Sequence, residues 1–549
     1  MHDGSSTLRL QPGVETLTIT GAEPGTALRV DRGDTPLVTV VADGAGNAHV
    51  AFVPTEHGRI ETAEQWAEVL STGELLTPGP YTVVDVATGE RHGPVTVLAV
   101  GDVPDESLYD QELAEGFGYL EVRDGVTLSV MVRFPNEDLY GPAPWPTVIE
   151  YSGYGPSNPD APQPGTLLAN LLGFAVVGVN MRGTGCSGGV FDVFSPAQAA
   201  DGYDVVETVA RQPWVLDRRV GMVGLSYPGI SQLYVAATQP PSLAAITPLS
   251  VIDDLWRQQW PGGTYNSGFT RSWLAARDAE TKVGGQAWDQ ARIDAGDAQA
   301  AANQAIRSQN FDFERFGRAI DNFRPTLEAR RVESVLDRID VPVYLTGAWQ
   351  DEQTGSRFAL MLDRFHNAPH VQFTLFNGHH PDGYSPMVIL RWFEFLSFHV
   401  GRRVPVVPEL IRMFAPMQFA EVFGVVQELE ADRYGDLVDD FDAAFARFTS
   451  EPPVRIMFES GAGTDTPGAT GARYEVLTTE FPPPGTVARR WWFGSDGTLG
   501  DEASAEEGFV AYTDDLDAGE HCYAIIESLQ DFTRPTVPLD WTWFEDEHV

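Results

Sequence analysis

The run Gly221-Met222-Val223-Gly224-Leu225-Ser226-Tyr227-Pro228-Gly229 sets one serine at the end of an apolar stretch, ahead of a segment with helical character. Strand, sharp turn and helix in that order leave a serine Oγ exposed at the carboxyl edge of a sheet, where it can attack an acyl carbon. Gly224 suits such a turn, because side chains on either side of the serine come close to neighbouring strands. The helix N-terminus behind the serine favours negative charge developing during attack. In the G-x-S-x-G pattern the second glycine would stand at 228; here Pro228 holds that position and Gly229 follows it. Taken alone, the run also describes an ordinary turn with a capping serine.

A serine is a weak nucleophile until a base removes its proton. In α/β-hydrolases the triad runs in chain order serine, acid, histidine. No histidine stands between His92 and His366, so the candidates after Ser226 are His366, His370, His379, His380, His399, His521 and His548. His379 and His380 directly follow the apolar run Val371–Phe376, at the strand end where this type of sheet assembles its site. His366 and His370 precede that run, at the opposite edge. A His-His pair also fits a metal-contacting loop, but no cysteine stands at ligand spacing and Asp382 alone would be a thin third ligand. No metal is therefore expected. The orienting acid should follow the preceding strand: Asp351 lies just beyond Val341–Thr346, with Glu352 beside it and expected to point the other way. The backbone N–H of Tyr227 offers one donor to an oxyanion. The loop Glu150-Tyr-Ser-Gly-Tyr154-Gly-Pro156 offers a second in the Tyr154 hydroxyl, although an aromatic plug explains that residue equally well.

These residues need a sheet to hold them. Thr147–Tyr151, Phe174–Val179, Val220–Leu225, Ala244–Leu249, Val341–Thr346 and Val371–Phe376 are apolar at nearly every position, as strands buried on both faces require. Helical stretches such as Pro196–Arg211 and Gly229–Thr238 alternate with them, which predicts an α/β sheet. Leu120–Arg123 and Val130–Phe134 read as a hairpin in front of it. From Ser250 to Asp340 no strand is expected, but helical stretches are (Ser272–Lys282, Gln286–Gln309), which suggests a helical cap inserted at about 251–338. The first hundred residues carry short alternating runs between Gly, Pro and Asp turns, the pattern of a small antiparallel sandwich. After Arg391 helices dominate, ending in the amphipathic run Leu429–Phe448, and from Pro452 the pattern turns to strands. The expected division is thus 1–101, an N-terminal β-sandwich-like domain; 102–450, an α/β domain with its cap; and 451–549, a C-terminal β domain.

Composition narrows the function class. The 549 residues carry 36 Lys+Arg against 78 Asp+Glu, a formal charge of −42, and Lys282 is the single lysine. Such a surface repels phosphate backbones and anionic headgroups, so nucleic acid and membrane surfaces are not expected partners. A hydrophobic content of 43% is that of a folded globule rather than a disordered chain. Two cysteines rule out a disulfide scaffold. No apolar stretch is long enough to span a bilayer and the N-terminus lacks a signal-peptide pattern, which leads to the expectation of a cytoplasmic protein, or a secreted one if a leader has been removed.

The strand and loop VIEYSGYG, the run Asn180-Met-Arg182-Gly183-Thr184-Gly185-Cys186-Ser187-Gly188-Gly189, the segment Gln212-Pro213-Trp214-Val-Leu-Asp217, the turn GMVGLSYPG and the stretch Gly347-Ala-Trp-Gln-Asp351 occur in one order. Together they resemble the X-prolyl dipeptidyl-peptidase and cocaine esterase-like (CocE/NonD) family of serine hydrolases, over roughly Leu120–Leu396. The resemblance implies an α/β-hydrolase domain with an inserted cap, followed by a β jelly roll. It implies Ser226 as nucleophile, Asp351 as the acid, His380 rather than His379 as base, and Tyr227 N–H with Tyr154 hydroxyl as the oxyanion hole. No cofactor is implied. Asn180 replaces an aspartate common in that family, in a run read as structural. The family's jelly roll is longer than Pro452–Val549, which suggests that the last strands are missing.

The expected chemistry is acyl-enzyme hydrolysis of a small-molecule ester or amide, or of a short peptide, by an acyl esterase above all. The alternatives are an X-Pro dipeptidyl-peptidase or an α-amino-acid ester hydrolase or acylase; an inactive hydrolase-fold binding protein is the alternative of another class. A peptidase would need carboxylates for a substrate ammonium, and Asp253 and Asp254, just past Ala244–Leu249, are the weak candidates. A homo-oligomer is compatible with all of these.

Overall fold

The computed structural model describes residues 8–51, 76–310, 312–319, 331–423, 426–458, 471–494, 497–503 and 508–509. Of strands β1 (Arg9–Gly13), β2 (Thr16–Thr20), β3 (Ala27–Arg32), β4 (Thr35–Val41), β5 (Ala48–Val50), β6 (Gly79–Asp85) and β7 (Arg91–Val97), β2 to β7 overlap the alternating runs and β1 does not. They pair antiparallel as two sheets, β1-β2-β5 and β4-β3-β6-β7. Alternate residues of both sheets, including Leu17, Ile19, Leu28, Val30, Tyr81 and Val83, share one apolar core, as period-2 side-chain alternation requires.

The central sheet takes up β8 (Gly116–Glu121), β9 (Thr127–Arg133), β10 (Trp145–Ser152), β11 (Ala175–Asn180), β12 (Val215–Leu225), β13 (Leu243–Leu249), β14 (Val343–Ala348), β15 (Val371–Phe376), β16 (Val454–Phe458) and β17 (Tyr474–Thr478). Its order is β17-β16-β15-β14-β13-β12-β10-β11-β9-β8. Every pair from β11 to β16 is parallel, and the antiparallel pairs lie at the two ends. All residues of β10, β11, β13 and β14 are buried. Neighbours along a strand enter opposite layers: Ile149 and Met222 join one apolar cluster, Val148 and Val223 the other.

Helices α1 (Pro164–Leu171), α2 (Pro196–Ala210) and α3 (Tyr227–Ala236) connect or follow the parallel strands. Ser195 and Gln198 form a capping box at the start of α2, with Pro196 in the first turn. Between β13 and β14, where no strand was expected, the described residues form helices α4 (Leu255–Gln259), α5 (Phe269–Glu280), α6 (Trp288–Asp294), α7 (Ala298–Gln304) and α8 (Phe313–Ala319). The stretch expected to be helical from Gln286 to Gln309 is broken at Gly296, whose φ of +96° ends the turn after α6. Arg307, past α7, ties this insertion to the loop after β11 by donating to the carbonyls of Gly185 and Ser187 at 2.8 Å each.

Two expectations are corrected. The boundary at 451 falls inside the central sheet: β16 pairs in parallel with β15, and β17 continues the same sheet. The sequence shows that Val454–Phe458 is a strand, but edge pairing is set by a partner 81 residues earlier. The run Leu429–Phe448 holds a 3-10 turn at Gly435–Leu437 and is α-helical only from Phe441, where Asp440 caps the helix by accepting from Ala443 N–H at 3.0 Å. The described helices near it are α9 (Pro386–His399), α10 (Glu409–Phe423) and α11 (Phe441–Thr449). Beyond β17 the described residues hold a short pairing of Trp492–Phe493 with Leu499–Gly500. The expected strand Cys522–Ile526, and with it most of the jelly-roll expectation, lies outside the described residues.

Candidate active site

Strand order reverses around β10: the chain passes from β10 to β11 on one side, then to β12 on the other. In parallel α/β sheets such a switch opens a crevice beyond the carboxyl ends of the two strands concerned. β10 ends at Ser152, two residues before Tyr154, and β12 ends at Leu225, one residue before Ser226.

Ser226 has φ 69° and ψ −126°, a conformation that costs a non-glycine residue about 1–3 kcal/mol and persists only where its surroundings enforce it. The enforcement is visible. Ser226 N–H donates to Leu249 O at 2.9 Å, and its carbonyl accepts the first bond of α3 from Ile230 N–H at 2.8 Å. Gly224 has φ 144°, and a Cβ there would stand 2.5 Å from Pro228 Cβ. A Cβ at Gly229 would stand 2.8 Å from Leu249 O and 2.9 Å from Val251 Cγ1. The close approach that the common pattern meets with a glycine at 228 is met here by Gly229, which accounts for the one-residue displacement.

The expected acid and base lie at strand ends beyond β13, further along the sheet. Asp351 follows β14 and His380 follows β15, and their strands pair in register from Val343–Val371 to Ala348–Phe376. His380 Nδ1 and Asp351 Oδ2 are 2.8 Å apart, with both side chains fully buried. Asp351 is fixed by its own loop: Oδ1 accepts from Gln353 N–H and Thr354 N–H at 2.8 Å each, and Oδ2 accepts from the Thr354 hydroxyl at 2.6 Å. Burial pulls the His380 pKa down, but the charge and hydrogen bond of Asp351 outweigh it, and the net direction is up. The turn that carries His380 packs on the serine turn. A Cβ at Gly383 would stand 2.6 Å from Leu225 Cδ1, and Ser250 Oγ donates to His380 O at 3.2 Å.

Tyr154 is half-buried, and Ser226 is one of the neighbours that act on its phenol. Its ring meets Tyr227 edge-on at 5.4 Å. Burial raises the phenol pKa, and Arg277, Trp273 and Ser226 act in the opposite direction. The structure therefore brings Ser226, Tyr227, Tyr154, Asp351 and His380 to one edge of the sheet.

Glu352 departs from expectation. It does not point away: Oε2 lies 3.4 Å from His379 Nδ1 and accepts His380 N–H at 3.2 Å. Acid and histidine thus form two neighbouring pairs, Asp351 with His380 buried, and Glu352 with His379 partly exposed. Asp253 and Asp254, the weak candidates for a substrate ammonium, are both engaged by arginines. Asp253 is engaged by Arg357 at 2.7 and 3.2 Å. Asp254 caps α4 through Trp256 N–H and Arg257 N–H, and Arg257 and Arg331 lie at 3.7 and 3.6 Å. Their charge is already neutralised, which adjacency in sequence does not reveal. The run from Asn180 to Gly189 is structural as read: buried Arg182 binds Asp201 at 2.6 Å and Asp124 at 3.0 Å. Thr354, Trp273 and Arg277 were missed; only the Asp-x-x-Thr spacing, typical of a local side-chain turn, signalled the first. Among the described residues no three His, Cys, Asp or Glu side chains come together as a metal site, and no helix is long and apolar enough to cross a membrane.

Residues 124–381 match the family model "X-Pro dipeptidyl-peptidase (S15 family)". That span contains Ser226, Asp351 and His380. The chain is 33% identical over 161 residues to cocaine esterase from Rhodococcus sp., across 28% of this chain and 27% of that protein. The matched stretches span between 16% and 27% of the curated relatives' own length. A CocE/NonD family hydrolase from Staphylococcus aureus aligns over 71% of this chain and 60% of its own, at 18% identity and a TM-score of 0.49. An aminopeptidase from a marine sediment archaeon (Thaumarchaeota archaeon) aligns over 79% and 70%, at 17% identity and a TM-score of 0.49.

Proposed function

We propose that this chain, whose residues 124–381 belong to the X-Pro dipeptidyl-peptidase (S15) family, is a serine hydrolase that cleaves small esters through an acyl-enzyme. The observation that carries the reading is the buried 2.8 Å contact between His380 Nδ1 and Asp351 Oδ2 at the strand ends beside a strained Ser226. Ser226 Oγ attacks the carbonyl carbon while His380 Nε2 takes its proton. Asp351 keeps the other imidazole proton on Nδ1 and stabilises the imidazolium. The tetrahedral oxyanion is held by Tyr227 N–H and the Tyr154 hydroxyl. Collapse expels the alkoxide, which receives the proton from His380. Water then attacks the acyl-serine with His380 again as base, releasing the acid and restoring the serine.

Helices α4 to α8 are read as the cap of this domain, and the two N-terminal sheets and the residues beyond β17 as flanking β units. The substrate class follows from charge. Asp253 and Asp254 support an ester pocket over an aminopeptidase one, because Arg357, Arg257 and Arg331 already compensate them. The test is a panel of short acyl nitrophenyl esters, amino-acid nitrophenyl esters and X-Pro nitroanilides given to the full chain. The expected result is turnover of the short acyl esters at a kcat/KM at least ten times that of the other two, and preferred turnover of X-Pro nitroanilides contradicts the esterase reading.

A further inference from the structure

Trp273 and Arg277 lie one helical turn apart on α5 and both meet Tyr154. Trp273 Nε1–H donates to Tyr154 Oη at 2.9 Å. A phenol oxygen has one proton to give and lone pairs to accept with, whereas an indole nitrogen only donates. With an acceptor position of Oη taken by a group that cannot receive a proton, the phenolic proton is directed away from the indole, and Ser226 is the neighbouring hydroxyl that acts on the phenol. Arg277 stands with its guanidinium carbon 4.6 Å from the Tyr154 ring centroid and 5.6 Å from that of Trp273. Glu280 holds it there through a 2.6 Å bond to Nη2. A cation so near a half-buried phenol favours negative charge on its oxygen, and so strengthens the donor as an oxyanion forms opposite it. The same insertion also fixes the preceding peptide: Gln286 Nε2–H donates to Gly153 O at 2.8 Å, and Trp288 Nε1–H holds Gln286 Oε1 at 3.1 Å.

We infer that the helical insertion is part of the oxyanion apparatus: Trp273 is a positioning residue that fixes the rotor of the Tyr154 hydroxyl, and Arg277 polarises it. The inference rests on the hydrolase reading above and adds that the insertion acts on the chemical step, not only on access. A chain whose insertion merely walls the pocket would place no donor on Oη.

The test is a double-mutant cycle in the full chain, read as kcat and KM for a short acyl nitrophenyl ester, with fluorophosphonate labelling of each variant. Loss of one oxyanion donor in Tyr154→Phe lowers kcat by about 10²-fold. Trp273→Phe keeps the ring packing but removes the N–H; it lowers kcat by about ten-fold with KM changed less than about two-fold, the signature of a contact made in the transition state. In the Tyr154→Phe background the same change alters kcat by less than about two-fold, because the group it acts through is gone. Equal losses in both backgrounds, or a change confined to KM, overturn the inference. If Trp273→Phe does not fold, Arg277→Met takes its place in the same cycle with the same criterion. Wild-type chain that neither labels nor turns over refutes the hydrolase reading together with this one. Wild-type activity without coupling refutes this one alone.

Discussion

Asp351→Asn has an outcome that the hydrogen bonds around the carboxylate dictate. The asparagine amide must place its oxygen and its NH2 in the two sites now held by Oδ1 and Oδ2. The Oδ1 site faces two backbone donors, Gln353 N–H and Thr354 N–H, each at 2.8 Å. The Oδ2 site faces the Thr354 hydroxyl, which can reverse its proton, and His380 Nδ1. An NH2 in the Oδ1 site orphans both backbone donors, at about 1–3 kcal/mol for each buried unsatisfied group. The penalty of about 2–6 kcal/mol drives the NH2 to the Oδ2 site by a factor of about 30 to 10⁴. There it donates to Nδ1, which must then accept, so the imidazole proton moves to Nε2 and the base is lost. The imidazolium also loses its counter-charge. In triads of this kind the equivalent change lowers kcat by about 10⁴-fold, and a loss of about 10³- to 10⁴-fold is expected here with KM within a few-fold. The assay is hydrolysis of a short acyl nitrophenyl ester, beside thermal unfolding to verify the fold. A variant that folds and retains more than a tenth of wild-type kcat refutes the assignment of Asp351.

Other outcomes follow from the same geometry. His380→Ala abolishes turnover of the nitrophenyl ester, whereas His379→Ala, which removes only the partner of Glu352, leaves much of it; the reverse pattern moves the base by one residue. Because His380 works as a base when neutral and Asp351 holds its pKa above the ordinary value of 6.5, kcat/KM rises with pH along a limb centred above 6.5. Glu352 adds to that upward direction, so Glu352→Gln shifts the limb to lower pH, and an unmoved limb contradicts the role of that charge. Burial pushes the Glu150 carboxyl up to about 8 from 4.5, against the pull of Thr166 N–H. The folded state then binds the proton more tightly than the unfolded one, and stability falls as pH rises between those values by up to about 1.4 kcal/mol per pH unit. Glu150→Gln removes that slope, so its Tm advantage over wild type widens from pH 5 to pH 8; an unchanged difference refutes the buried, proton-holding carboxyl.

What was legible in the sequence divides along physical lines. Strands buried on both faces announce themselves by composition, and β15 is found at Val371–Phe376 as read. Histidine was informative through scarcity, since an apolar strand followed at once by His379 and His380 singles out one loop. With 78 acids among 549 residues, Asp351 could be picked only by its order between serine and histidine. That Asp253 and Asp254 meet Arg357 and Arg331 was hidden, because those arginines are distant in the chain. The role of Trp273 was invisible for the same reason: it meets Tyr154 across 119 positions. The strand Val454–Phe458 was visible, but its membership of the central sheet depended on a contact that periodicity does not encode.

The central claim is that Ser226 is an activated nucleophile, and active-site labelling tests it most directly. Intact-mass analysis of the full chain after treatment with a fluorophosphonate should show one adduct per chain, mapped to Ser226 by peptide digestion, and none on Ser226→Ala. Wild-type chain that stays unlabelled, or a Ser226→Ala variant that labels as fast as wild type, contradicts the account.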